Sequence, residues 1–119
     1  MDTTYEEHFT SRNSFIEFIK NNNKKLYLKF TAEWCQPCKV IQPHISKHFE
    51  TLSKNGAICL YVDIEEYFDV YVFLKSKKMI SGIPTVFYYK PSNDCAYAPD
   101  NVFVGANDKE IDKFFNMTN

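Results

Sequence analysis

The sequence predicts an α/β fold whose mixed sheet is covered by helices on both faces. Three observations predict it. The short β-rich runs "LYLKFTA", "AICLYVD" and "TVFYY" are apolar at most positions, as strands buried on both sides are. Apolar residues at helical spacing fall before and between these runs. A Pro-, Asn- and Asp-rich stretch, "KPSNDCAYAPD", separates "TVFYY" from a last short strand, "NVFVG", so the sheet closes on a hairpin.

Each element has its own signal. Phe15, Ile16, Phe18 and Ile19 fall at helical spacing, with Ser11 or Ser14 placed to cap the helix, and "NNNKK" ends it. The strand "LYLKFTA" follows. From Pro37 the period changes: Ile41, Ile45, Phe49 and Leu52 form a helix stripe, with Pro43 inside it as an expected kink and Asn55-Gly56 as the stop. "AICLYVD" reads as a second buried strand. Ile64, Tyr67, Phe68, Tyr71 and Leu74 give the next stripe, with Val70 and Phe73 on a second face, also read as core. Asn107, with Glu110 three residues on, caps a last helix carrying Ile111, Phe114 and Phe115.

Composition narrows the function classes. A chain of 119 residues predicts one domain, residues 1–119, with a single core. The net charge is −1 and no basic stripe stands out, which argues against nucleic acid as a partner. No apolar run approaches a membrane span. The N-terminus "MDTTYEEHF" is polar and acidic, without a signal-peptide pattern, so the expected location is cytoplasmic, where thiols stay reduced. Four cysteines there point to chemistry or plain burial rather than to a disulfide scaffold.

The chemistry concentrates at "WCQPC", Trp34 to Cys38, where a strand gives way to a helix. A cysteine at a helix N-terminus faces unpaired backbone N–H groups and the positive end of the macrodipole, which favour its thiolate. Cys35 is thereby the attacking thiol. Cys38, one turn later, is within reach to resolve a mixed disulfide. Pro37 suits the first turn, which needs no N–H, and Trp34 is expected to cover one side of the pair. Cys59 reads as a buried, inert thiol and Cys95 as an exposed loop thiol. His44 and His48, four apart on the same helix, invite a zinc reading with Cys35 and Cys38, but the Cys38-to-His44 gap is far shorter than zinc-finger spacing, so no metal is expected.

With these residues in view, the chain resembles the thioredoxin family. Trp34-Cys35-Gln36-Pro37-Cys38-Lys39 is similar to the family's W-C-G-P-C-K motif. "TAEWC" before it, Pro43 in the helix, Asp63 at the end of the second strand, "GIPT" from Gly82 to Thr85, and Gly105 match the family's pattern from about Phe15 to Phe115. The resemblance implies a thioredoxin fold, a central mixed sheet flanked by four helices. It implies dithiol–disulfide exchange with disulfide-containing protein substrates, no prosthetic group, and recycling by a disulfide reductase. It further implies a cis Ile83-Pro84 bond facing the cysteines and a substrate groove that includes Trp34, Ile83, Pro84 and Gly105. The protein is expected to act as a monomer.

Three departures mark this chain. Gln36 replaces the family's glycine between the cysteines. The helix before Pro84 and the loop from Pro91 to Asp100 are longer than usual. Lys29 stands where the family has a buried aspartate, and that acid's lysine partner is matched by Cys59. A lysine inside a covered strand must snorkel to water, pair with a carboxylate such as Glu33 or Asp63, or shift its pKa downward. The missing aspartate keeps a second reading open, a redox-poor binding or adaptor module on the same fold.

Overall fold

The strand β1 (Leu26–Thr31) organises the molecule because its alternating side chains enter two separate cores. In the computed structural model the described residues are 9–92 and 97–118. Around β1 lie α1 (Arg12–Asn21), α2 (Gln36–Lys54), β2 (Ile58–Asp63), α3 (Phe68–Ser76), β3 (Thr85–Tyr89), β4 (Asn101–Val104) and α4 (Asp108–Thr118). The sheet order is β2-β1-β3-β4, with β1 and β2 parallel and the other two pairings antiparallel. Leu26, Leu28 and Phe30 pack with Phe15 and Ile19 of α1 and Val70 and Leu74 of α3. Tyr27 points the other way, into Ile41, Ile45 and Phe49 of α2 and Phe115 of α4. In β3, Phe87 and Tyr89 join the first core and Val86 and Tyr88 the second. Near-continuous apolar strands are what such two-sided burial requires.

Local signals set the helix ends. Ser11 and Ser14 cap α1 together: Ser11 Oγ accepts the Ser14 N–H and Ser14 Oγ accepts the Ser11 N–H, both at 3.1 Å. α2 is one continuous helix through Pro43, which has no N–H to offer the Lys39 carbonyl. It ends at Asn55, with Gly56 at φ +96°, a conformation that glycine adopts without cost. Asn107 Oδ1 accepts the Glu110 N–H at 3.0 Å and starts α4.

Two expectations need correction. "AICLYVD" forms β2, but among the described residues β2 lies at one end of the sheet, and only Val62 of it is fully buried; an outer strand has one neighbour to cover it. The stripe from Ile64 does not begin a helix. Asp63 Oδ1 accepts the N–H groups of Glu65 and Glu66, at 2.8 and 3.1 Å, and holds residues 64–67 in a turn. α3 starts only at Phe68, which is exposed, and its buried residues are Val70 and Phe73, the second face of the sequence reading, with Leu74 from the first stripe. Cys95 lies outside the described residues. Among the described residues no helix is long and apolar enough to cross a membrane.

α1 and α3 are clamped by one ion pair. Arg12 donates to Asp69 from its backbone N–H at 2.7 Å, from Nε at 2.9 Å and from Nη2 at 2.8 Å. These bonds hold the Asp69 carboxyl below its ordinary range. As pH falls, the unfolded chain therefore binds this proton first. The clamp's contribution is complete above the ordinary carboxylate range and is lost as pH falls through the lowered value. Asp69→Asn should lower Tm modestly at pH 7, and the gap from wild type should close as pH falls through the lowered Asp69 value. A gap that stays constant with pH, measured by calorimetry, would show that the carboxylate charge is irrelevant.

Candidate active site

The sheet register brings the singled-out residues to one end of the molecule. Thr31 at the end of β1 pairs with Asp63 at the end of β2, Phe30 pairs with Thr85 at the start of β3, and Thr85 pairs with Val104 at the end of β4. The loop that carries Trp34 and Cys35, the Asp63 turn, Pro84 just before β3 and Gly105 just after β4 therefore emerge together.

Cys35 is the N-cap of α2, and Gln36 and Pro37 open its first turn. The Cys35 N–H donates to the Ala32 carbonyl at 3.1 Å, which closes the strand-to-helix turn. Cys35 and Cys38 form a disulfide with Cα atoms 5.3 Å apart. Cys35 Sγ also accepts the Cys38 N–H at 3.2 Å. When the bond is reduced, that N–H and the helix dipole address negative charge on the same sulfur. Both cysteines are buried, with 4% of Cys35 and 1% of Cys38 exposed.

Around the pair, Trp34 is 63% exposed, and its indole N–H donates to Glu65 Oε2 at 3.1 Å. This bond ties the indole to the turn that Asp63 closes. The Ile83-Pro84 bond is cis. Ile83 packs against the core that includes both cysteines. Gly105, at φ +116°, donates its N–H to the Pro84 carbonyl at 3.1 Å and so ties the end of β4 to the proline. A Cβ at Gly105 would meet nothing within 4 Å, so the glycine serves the backbone turn and not a lack of space.

Lys29 lies within the second core with 1% of its surface exposed, so it does not snorkel. Nor does it pair with Glu33 or Asp63, as one expectation held. Its Nζ donates to the Cys38 carbonyl at 3.1 Å and to Gln42 Oε1. Both acceptors are neutral and lie on α2, since the alternation of β1 points position 29 at that helix. Burial without a counter-charge lowers the Lys29 pKa to about 8. A neutral amine still has two N–H groups for these two acceptors and keeps a free lone pair. Gln42, one turn beyond Cys38, was not singled out from sequence, although its i+4 spacing offered the signal.

The remaining candidates separate from the dithiol. Cys59 is free and only partly buried, and desolvation pushes its thiol up to about 12, so it carries almost no thiolate at neutral pH. Cys59→Ser should leave the rate of disulfide reduction within about twofold of wild type, measured under the same reductant. A folded variant that loses turnover would place Cys59 in the relay. His44 and His48 both meet Asp112 Oδ1 at 2.7 Å through Nε2. These contacts hold the Asp112 carboxyl below its ordinary range. No local spacing announces Asp112.

A family model described as Thioredoxin matches residues 6–116. The chain is 33% identical over 114 residues to thioredoxin from Ictalurus punctatus, covering 92% of this chain and 94% of that protein. It is 30% identical to thioredoxin 1 from Plasmodium falciparum, with 86% of each chain covered. Among solved structures, Plasmodium falciparum thioredoxin superposes with a TM-score of 0.68 at 28% identity, over 92% of this chain and 96% of that one. Oxidised mitochondrial thioredoxin 3 from Saccharomyces cerevisiae does so with a TM-score of 0.67 at 27% identity, over 91% of each chain.

Proposed function

The chain belongs to the thioredoxin family and is a thiol–disulfide oxidoreductase with protein-disulfide reductase activity, and on that premise we propose that Cys35 attacks and Cys38 resolves. The Cys35 thiolate attacks one sulfur of a substrate disulfide, forms a mixed disulfide and expels the other substrate sulfur as a thiolate. Cys38 loses its proton and attacks Cys35 Sγ. That step expels the second substrate sulfur and leaves the Cys35–Cys38 disulfide. Two electrons pass from the dithiol to the substrate, and a separate disulfide reductase returns them. The observation that carries this assignment is Cys35 at the N-cap of α2, with its sulfur accepting the Cys38 N–H.

Trp34, Ile83, Pro84 and Gly105 form the substrate groove in this reading, since the register delivers them to the end of the sheet where Cys35 lies. Gln36 and Pro37 shape the first turn of α2 and so tune the dithiol. Lys29 stands in for the family's buried aspartate. In its neutral form it accepts the proton that Cys38 must lose, directly or through water, and an amine with a pKa near 8 is poised for that at cellular pH. Of the three outcomes open to a lysine in a covered strand, this reading takes the downward shift in pKa. The protein works as a cytoplasmic monomer without a cofactor.

Insulin reduction tests the reading. With dithiothreitol, and again with a thioredoxin reductase and its nicotinamide cofactor, turnover should depend on Cys35. A folded protein that accelerates neither reaction would instead be a binding module on the same fold.

A further inference from the structure

We propose that His44, His48 and Asp112 form a binding site for a zinc-class divalent transition metal, separate from the dithiol and spanning α2 and α4. The two histidines are one turn apart on one face of α2, and Asp112 reaches them from α4, which packs on the same side of the sheet. One carboxylate oxygen lies 2.7 Å from each Nε2, and the three donor atoms lie within 4.8 Å of one another. Metal–ligand bonds of about 2.1 Å place tetrahedral donors about 3.4 Å apart. The present triangle therefore needs only small side-chain rotations to admit an ion.

The donor set selects the metal. Two imidazoles and one carboxylate suit zinc, cobalt or nickel, whereas magnesium and calcium require shells of oxygen. Three protein ligands leave at least one position for water or a partner's donor. The side chains are 29%, 28% and 50% exposed, so the site opens to solvent. The ligands are also held in place. The His48 ring stacks on Phe115 at 4.4 Å with 13° between planes, and the His44 ring meets it edge-on at 5.4 Å. Both histidines now donate from Nε2, because a carboxylate oxygen can only accept. On binding, each ring offers its Nε2 lone pair to the ion, so the proton it now donates to Asp112 leaves that nitrogen. The ion would cross-link α4 to the helix that begins at the cysteines.

The test uses the full chain in its oxidised form, so that Cys35 and Cys38 are not ligands. Titration with Co2+ should give a ligand-field spectrum at one ion per chain, without a thiolate-to-cobalt charge-transfer band. Zn2+ should displace the cobalt and raise Tm, and Mg2+ should do neither. His44→Gln and Asp112→Asn should each weaken Zn2+ binding at least about tenfold. Both substitutions are at partly exposed positions, and retained insulin reduction would show that the variants are folded. The proposal is overturned if cobalt gives no stoichiometric spectrum, if a thiolate band dominates, if Mg2+ competes equally, or if both folded variants bind Zn2+ as wild type does.

Discussion

Cys38→Ser accumulates substrate proteins as mixed disulfides on Cys35, and Cys35→Ser accumulates none. This asymmetry is the first expected result, and it follows from the helix terminus. Serine at position 38 leaves the attacking sulfur with its backbone N–H donor at 3.2 Å but removes the only thiol one turn away. Serine at position 35 removes the sulfur that the dipole and this N–H address together. Turnover should fall by at least on the order of 10³-fold in either variant, since one step of a two-step exchange is lost in each. Mass spectrometry of proteins retained on immobilised variants, before and after dithiothreitol, distinguishes the two. Equal capture by both would show that the N-cap does not select the nucleophile.

The second large effect is at Lys29, where pH is the readout. A lysine pKa lowered from 10.5 to about 8 in the folded state means that the unfolded chain holds the proton more tightly. Stability is therefore penalised below pH 8 and recovers as pH rises from about 8 to 10.5, by about 3 kcal/mol in all. Lys29→Met cannot show this recovery. Tyr27, Tyr61, Tyr88 and Tyr89 have raised values and make stability fall at the alkaline end, but they are common to both proteins and cancel in the difference. At neutral pH the variant gains relief from desolvation but leaves the Cys38 carbonyl and Gln42 without their donor, which costs about 1–3 kcal/mol. The two proteins should thus be of similar stability at pH 7 and diverge above pH 8. In single turnovers, resolution by Cys38 should gain a component that rises near pH 8 in wild type and is missing from Lys29→Met. Lys29→Asp restores an acceptor already ionised at pH 7 and should resolve faster there. Superimposable stability and rate profiles for all three proteins would remove Lys29 from proton handling.

The fold was legible where burial is two-sided. Strands β1 and β3 are apolar along nearly their whole length because helices cover both faces, and that composition is visible without coordinates. The dithiol was legible for a similar reason, since its spacing, its proline and the strand-to-helix junction are all local. The position of β2 at one end of the sheet, among the described residues, was hidden, because "AICLYVD" is as apolar as an inner strand and only the sheet order reveals where it lies. The late start of α3 was hidden as well. Asp63 captures two backbone N–H groups and spends residues 64–67 on a turn that keeps the helical spacing of its apolar residues. Lys29 was recognisable as an anomaly, but its resolution needed the neutral acceptors on α2. Asp112 meets His48 across 64 positions of sequence, a separation at which no periodicity carries information.

The central place of β1 also has a kinetic consequence. Its backbone is bonded on both sides, to β2 and β3, and it is the strand from which the Cys35 loop departs. Its amides can exchange with solvent deuterium only when the sheet itself parts, so Leu28 and Phe30 should be among the last to exchange, at the rate of global opening. The loop after Thr31 is thus mounted on the longest-lived part of the molecule. Repeated oxidation and reduction of the pair should alter exchange in the loop and the first turn of α2 while leaving β1 unchanged.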